Sequence, residues 1–376
     1  MRPESNIIRA VFVHLGESPC KHLWLNIERH LEIFPHVPVH LVINSRKHLR
    51  KIPKGCGVIF LDKSFIDESF ARDRDLVFRR GFWSHTLSRL FVLKYVHEKY
   101  PDSALLHIES DVLLLPDFPW EKLQKINRLA WQQYNEDRDV ASLLYIPNED
   151  SSKIFDALLE QELLLFPGHT DMSILKAIHR KKTELTTYLP IVSKKIPDLL
   201  NKNSVVTASI LEEDATNSLA EDGIFDSAAI GMWLLGHDPR NTYGRFLLHE
   251  MSPIHSGDTP ISPDSVYYQI LQDGRLKISD RTNRSHAISV WSLHVHSKER
   301  ELFSTKWISK LQEYATLANM NPEPLHKWRL ASVYAMFIDS VWTRTPHKFF
   351  LGFPSVHRFR RLVVDLRGKW LNGRGQ

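Results

Sequence analysis

The stretch Ala104–Leu115, ALLHIESDVLLL, restricts the fold of this chain more than any other feature. Its first part, Ala104–Glu109, is a continuous apolar run of the kind carried by a strand buried on both faces. Such a strand needs packed layers on both sides. A second apolar run, Val112–Leu115, follows at once, and Pro116 closes it. Two carboxylates, Glu109 and Asp111, lie between the runs. Alternation along an extended chain points residues two apart to the same side. The segment therefore reads as the end of a buried strand that delivers paired acids into a crevice.

The N-terminal sixty residues support an α/β fold. Ile7–Leu15 is a β-branched run ending at Gly16, and Leu23, Trp24, Ile27 and Leu31 recur at helical spacing. Val39–Ile43 and Val58–Leu61 read as two further strands. Strand–helix–strand at this interval predicts a parallel unit and the start of a doubly wound sheet. Residues 63–80 are charged and irregular. A helix is expected over Ser84–Lys99, a strand over Val140–Ile146, a helix over Ser151–Leu165 and another over Ile224–Leu235. A hairpin is expected over Tyr267–Ile278, turning at Asp273-Gly274, and a late strand over Ala287–His296. Lys194–Thr216 fits no single template. A boundary is expected near Asn321–Pro324, with helical, basic sequence after it.

Composition excludes several classes. With 43% hydrophobic and 25% charged residues, the chain is neither disordered nor fibrous as a whole. The start is polar and no run of 18 apolar residues occurs, so neither a secretory signal nor a spanning helix is expected. Two cysteines are too few for a disulfide framework or a thiolate zinc site, and a cytoplasmic location is expected. The net charge of +5 is uneven. Residues 341–376 hold eight basic residues against Asp365 alone, a charge of +7, which leaves about −2 on the rest. A basic tail on a near-neutral body argues against nucleic acid as a partner. His357–Leu371 as a helix would carry an apolar side and a basic side, suited to peripheral contact with anionic lipid or to docking on the body.

Unpaired carboxylates in a crevice are costly, so a cation is a natural partner for Glu109 and Asp111. Hard oxygen ligands with open positions suit Mg²⁺ or Mn²⁺ carrying a diphosphate. A solvated turn is the plain alternative. The late strand ends in Leu293-His294-Val295-His296-Ser297-Lys298, where both imidazoles would face one side. With 20 histidines, one His-x-His is expected by chance. Its position after a sheet strand, with Lys298 beside it, makes it a coherent partner for a carboxylate-bound metal and a phosphate. Solvated imidazoles on an edge strand are the alternative.

These residues, in this order, resemble the A-type glycosyltransferase fold (GT-A). Gly81–Leu93, Leu105–Leu114, Gly223–Asn241 and Leu293–Lys298 look like stretches of bacterial capsule and surface-polysaccharide members of that class, and the resemblance covers roughly residues 7–300. It implies a Rossmann-like central mixed sheet, mostly parallel and flanked by helices, in a catalytic domain over residues 1–320. The nucleotide-binding part would be about 1–130 and the acceptor-side part about 131–320, with 321–376 as a basic helical extension. It implies Asp111 as direct ligand to Mn²⁺ or Mg²⁺, and His294 or His296 as the other protein ligand. Glu109 stands where the family motif has Asp, and would touch the metal, a metal-bound water or a ribose hydroxyl. Lys298 would meet the diphosphate, His14 and Gly16 would lie near the base, and Arg89 would orient the carboxylates or touch the phosphates. The implied partners are a nucleotide-diphosphate sugar donor and a glycan or lipid-linked acceptor.

An inverting transfer needs a carboxylate base at the acceptor hydroxyl. Asp226 is the first candidate, on a helix whose Ala228, Ala229 and Gly231 would pack closely under the site, and Asp222 is the second. Asp226 as a helix-terminal charge is the plain alternative, and a retaining course needs no such base. A sugar nucleotidyltransferase would use the same acids, although the first strand is followed by HLGESPCKH, with a single glycine and no phosphate-cradling loop. A catalytically silent scaffold of the same fold is the remaining alternative.

Overall fold

The computed structural model describes residues 7–16, 19–62, 82–135, 137–165, 170–200, 218–235, 260–262 and 265–320. The irregular stretch at 63–80, most of Lys194–Thr216 and the basic extension at 321–376 lie outside the described residues.

The chain opens with β1 (Ile7–His14), α1 (Lys21–Ile33), β2 (Val39–Ile43) and β3 (Gly57–Phe60). Next come α2 (Phe82–Phe91), α3 (Leu93–Lys99), β4 (Ser103–Ile108), β5 (Val112–Leu114) and the short α4 (Trp120–Leu123). β6 (Leu129–Gln133), β7 (Asp139–Ile146), α5 (Glu149–Leu165), α6 (Asp171–Lys181) and β8 (Thr186–Tyr188) follow. The last part holds β9 (Gly223–Phe225), α7 (Ala229–Leu235), β10 (Val266–Ile270), β11 (Leu276–Asp280), β12 (Ala287–His294) and α8 (Trp307–Met320).

Seven strands form one sheet in the order β3-β2-β1-β4-β7-β6-β8, in which only β7 runs against the others. A mixed α/β architecture around a mostly parallel sheet is therefore present, as expected. Its two faces fill two cores. Ala10, Phe12, Ala104, Leu106 and Ile108 pack with Leu23 and Ile27 of α1. Val11 and Leu105 pack with residues of α2, α3, α5 and α6 on the opposite face.

A second sheet, β10-β11-β12-β5, has β9 alongside β12 and its own core under α7 and α8. β4 and β5 belong to different sheets, and Glu109–Asp111 is the crossing between them.

Several elements differ from the sequence reading. The helix expected over Ser84–Lys99 is two helices meeting at Val92. The helix expected over Ile224–Leu235 is a strand and then a helix. Ile224 and Phe225 insert into separate cores, which an extended pair can do and one helical stripe cannot. β6 escaped notice because Gln132 and Gln133 interrupt its apolar pattern, yet both are buried. α6 likewise buries Lys176 and His179.

Candidate metal and diphosphate site

Glu109 continues the alternation of Leu105 and His107, so it leaves β4 on the α2 side of the sheet. Its N–H donates to Ser142 O on β7 at 3.0 Å, and its carbonyl accepts from Val112 N at 3.1 Å, which turns the chain into β5. Asn26 of α1 donates to Ser110 O (3.2 Å) and Val112 O (2.8 Å), and this fixes the segment from outside.

β12 supplies the other half. It pairs antiparallel with β5, and His294 lies opposite Val112. Val295 N–H donates to Asp111 O at 2.8 Å. The register shifts between Val290 and Ser292. Ile288 and Val290 before the shift, and Leu293 and Val295 after it, all enter the same core. The extra residue thus turns His294 away from that core and toward the acids.

His294 Nε2 stands 3.6 Å from Glu109 Oε2 and 3.6 Å from Asp111 Oδ1. The three ligand atoms lie within 4.8 Å of one another. Bonds of about 2.0–2.2 Å from oxygen and imidazole nitrogen to one ion can span such a group. Two carboxylates and one imidazole are oxygen and nitrogen donors of the kind that bind divalent metals. The residues fit a divalent cation.

Lys298 completes the positive side. Its φ of +54° lies in the left-handed region, and Lys298 N–H donates to Val295 O at 3.0 Å. This tight turn after β12 returns the ammonium to 3.3 Å from Asp111 Oδ2. Burial alone would raise the Asp111 carboxyl, but Lys298 and then His294 hold it well below the usual carboxylate range. Burial would lower His294, yet Asp111 and Glu109 raise it.

Arg89 of α2 forms ion pairs with Glu109 and, at 2.9 Å, with Asp171 Oδ2 at the start of α6. Burial opposes its charge, and the two carboxylates more than restore it. Arg89 thus ties Glu109, one of the two carboxylates of the expected site, to the start of α6.

His296 stacks on His294 with ring centroids 4.1 Å apart, so the two imidazoles do face one side, but His294 is the one grouped with both acids. His14 ends β1 three residues beyond the Val11–His107 pair, on the same sheet edge as Glu109. Gly16 has φ +124°, a conformation that favours glycine, and its N–H donates to Asn44 Oδ1 at 2.9 Å.

The two carboxylates expected as bases are placed differently. Asp226 Oδ1 accepts from the backbone of Ala228 (2.9 Å) and Ile230 (3.0 Å). Its Oδ2 accepts from Gly231 (2.8 Å) and His294 (3.0 Å). Burial raises its pKa and these N–H groups oppose the rise. Both oxygens are occupied by backbone, an arrangement for capping rather than for taking a substrate proton. Asp222 lies farther off. Its neighbour Gly223 pairs with Ser289, five residues before His294, which is about 17 Å along a strand. There it pairs with Lys122 and, at 3.5 Å, with Lys195.

Sequence reasoning missed Asp171, Asn26 and a small cluster beside the acids. In that cluster Cys20 Sγ lies 2.9 Å from His22 Nε2, and His22 Nε2 lies 3.3 Å from Ser110 Oγ. For Asp171 only the start of its helix had a usable signal, not its place beside Arg89. Thr170 and Ser173 form a reciprocal capping box that marks the start of a helix at Asp171.

Among solved structures, the chain is similar to the galactosyltransferase LgtC in complex with donor and acceptor sugar analogues. The two are 12% identical over 56% of this chain and 81% of that one, with a TM-score of 0.37. It is also similar to a glycosyltransferase involved in glycosylation of the major capsid of PBCV-1 (10% identity, 48% and 81% coverage, TM-score 0.32). A third similar structure is the PaToxG glycosyltransferase (12%, 48% and 71%, 0.31). No protein-family model and no curated protein matches the sequence. Likeness of this extent is partial and assigns no activity.

Proposed function

We propose that this chain is a metal-dependent glycosyltransferase that moves a sugar from a nucleotide-diphosphate donor to a glycan or lipid-linked acceptor. One observation carries the reading: Glu109 and Asp111, at the crossing of two sheets, share one ligand-sized space with His294, with Lys298 beside them. The solved structures it resembles are glycosyltransferases, in keeping with this reading.

In the proposed reaction Asp111 and His294 hold Mn²⁺ or Mg²⁺, and Glu109 reaches the ion, a water on it or a ribose hydroxyl. When bound, the ion stabilises negative charge on the departing diphosphate. Lys298 sets an ammonium where the same charge grows. Arg89 keeps the Glu109 carboxylate aimed, and His14 and Gly16 border the base. No proton is routed through Asp226 or Asp222, so the stereochemical course is left to the products. Residues 321–376 are proposed to hold the enzyme against anionic lipid. Flotation of the full chain on phosphatidylserine vesicles should fall when Arg358, Arg360 and Arg361 are changed to Glu, and equal flotation would remove that idea. No helix of the described residues is long and apolar enough to cross a membrane.

A screen of UDP-, GDP- and CDP-sugars for hydrolysis, with and without Mn²⁺, tests the function. Metal-dependent hydrolysis of one donor is expected, and Asp111→Asn should lower it by about 10²–10³, since each tenfold is 1.36 kcal/mol of transition-state stabilisation. No metal-dependent nucleotide binding or turnover with any donor would leave a silent scaffold as the better description.

A further inference from the structure

The two halves of the candidate site are also joined from behind, through groups that touch no ligand. Glu109 N–H donates to Ser142 O at 3.0 Å. Ser142 Oγ donates to Gln132 Oε1 at 2.5 Å, and the same oxygen accepts Leu143 N–H at 3.1 Å. Gln132 Nε2 donates to Asp226 O at 2.9 Å. Asp226 Oδ2 accepts the N–H of His294 itself. Ser142 and Gln132 are fully buried and Asp226 nearly so. This chain of hydrogen bonds runs from one prospective metal ligand to another and crosses from the first sheet to the second.

Two further observations show that the local structure is built around Asp226. Ala228 has φ +128°, a region that costs a non-glycine residue and persists only where its surroundings enforce it. In that conformation its N–H meets Asp226 Oδ1. Gly231 lies so close to β12 that a Cβ there would strike the His294 carbonyl oxygen and Asp226 Oδ2. A strained alanine and an obligatory glycine both serve the contact between Asp226 and the His294 backbone.

We infer that Asp226 is a positioning residue that, together with Gln132 and Ser142, sets the His294 backbone in register with Glu109 and Asp111. This rests on the reading of those three residues as the metal group. A metal ligand held by the groups behind it is typically weakened 10–100-fold when they are removed. Asp226→Asn keeps the shape but places an amide where Oδ2 accepts two N–H groups.

The test uses the full chain and Mn²⁺ alone. Titration of Asp226→Asn should show the Mn²⁺ Kd raised 10–100-fold. Hydrogen–deuterium exchange should become faster in the peptide spanning 289–298. Ser142→Ala, which removes one link, should raise the Kd by a smaller factor. A folded Asp226→Asn protein with lowered Tm and unchanged Mn²⁺ affinity would reduce Asp226 to a fold-stabilising residue and overturn the inference. So would unchanged affinity with loss of one limb of the pH–rate profile, which would make Asp226 a proton-transfer group. If wild type binds no Mn²⁺, the functional reading falls, and exchange at 289–298 alone decides the clasp: faster supports it, unchanged ends it. If Asp226→Asn does not fold, Ser142→Ala decides, and an unchanged Kd overturns the inference.

Discussion

Arg89 illustrates how single residues divide the work at the candidate site. Its guanidinium bonds to two carboxylates on different elements, the half-buried Glu109 after β4 and the buried Asp171 on α6. Its planar fork meets the two partners through separate terminal nitrogens, a fixed geometry that the single nitrogen of lysine does not reproduce. Arg89→Lys should therefore leave one acid poorly paired. We expect about tenfold weaker Mn²⁺ binding by titration and a loss of about 1–3 kcal/mol in urea denaturation, the usual scale for a hydrogen bond to a charged group, since the positive charge itself is kept. Unchanged Mn²⁺ binding would show that Glu109 needs no holder. Arg89 is a candidate from sequence because it sits on the helix before the acidic strand. Asp171 is not, since nothing in the order of residues says that α6 starts against α2.

Among the elements, α1 and β12 decide whether the acids and the imidazole meet. α1 satisfies carbonyls of the β4–β5 crossing through Asn26, and Arg29 donates to Leu114 O at 2.8 Å while stacking on Trp307 of α8. Asn26→Ala strands the carbonyls of Ser110 and Val112. A cost of about 1–3 kcal/mol follows from the lost partners, with weaker Mn²⁺ binding because Asp111 loosens. Equal unfolding midpoints in urea for the two proteins would show that water replaces Asn26 without cost. The helical face of α1 is legible from Leu23, Ile27 and Leu31, whereas Asn26 is indistinguishable from a surface residue until β5 packs beside it. β12 is similar. The change of phase from Ile288 and Val290 to Leu293 and Val295 is written in the sequence, but its meaning is not: the slip opposite β9 turns His294 from a core position to a ligand position.

For the whole molecule, burial of neutral imidazoles predicts lability to acid. Burial pushes His30 and His107 down to about 3, and His40 and His97 to about 4. His107 donates to Val11 O, His97 donates to Ser103 O, and His40 accepts from Arg9, all as neutral rings. Below the unfolded value of about 6.5 the unfolded chain binds more protons than the folded one. Stability is thus complete above that pH and is lost as pH falls toward 3–4, by up to about 1.4 kcal/mol per pH unit for each ring. Asp139, pushed up to about 6 by burial, acts in the opposite sense between about pH 4 and 6, and Asp171, Asp226 and His294, whose values are also raised, oppose the four imidazoles in the same way. Urea midpoints should be clearly lower at pH 5.5 than at pH 7, and His30→Phe should flatten the slope by about one proton. Identical midpoints at both pH values would refute this. Bound metal acts in the stabilising direction: Mn²⁺ at 100 times its Kd should add about 2.7 kcal/mol and raise Tm, and His294→Ala should abolish the rise.

Local order along the chain was enough to establish an α/β fold, a parallel start and a pair of acids at a strand end, because apolar periodicity and strand alternation are properties of neighbours. It also placed Lys298 and the two imidazoles together after a late strand. Contacts between positions far apart in the chain decided the rest. Pairing of β5 with β12 brought His294 rather than His296 to the acids, and the shift in β12 turned it inward. Asp226, one turn from a helix start and so a plausible base by position, became a backbone clasp because a buried carboxylate binds whichever donors the packed strands present to it.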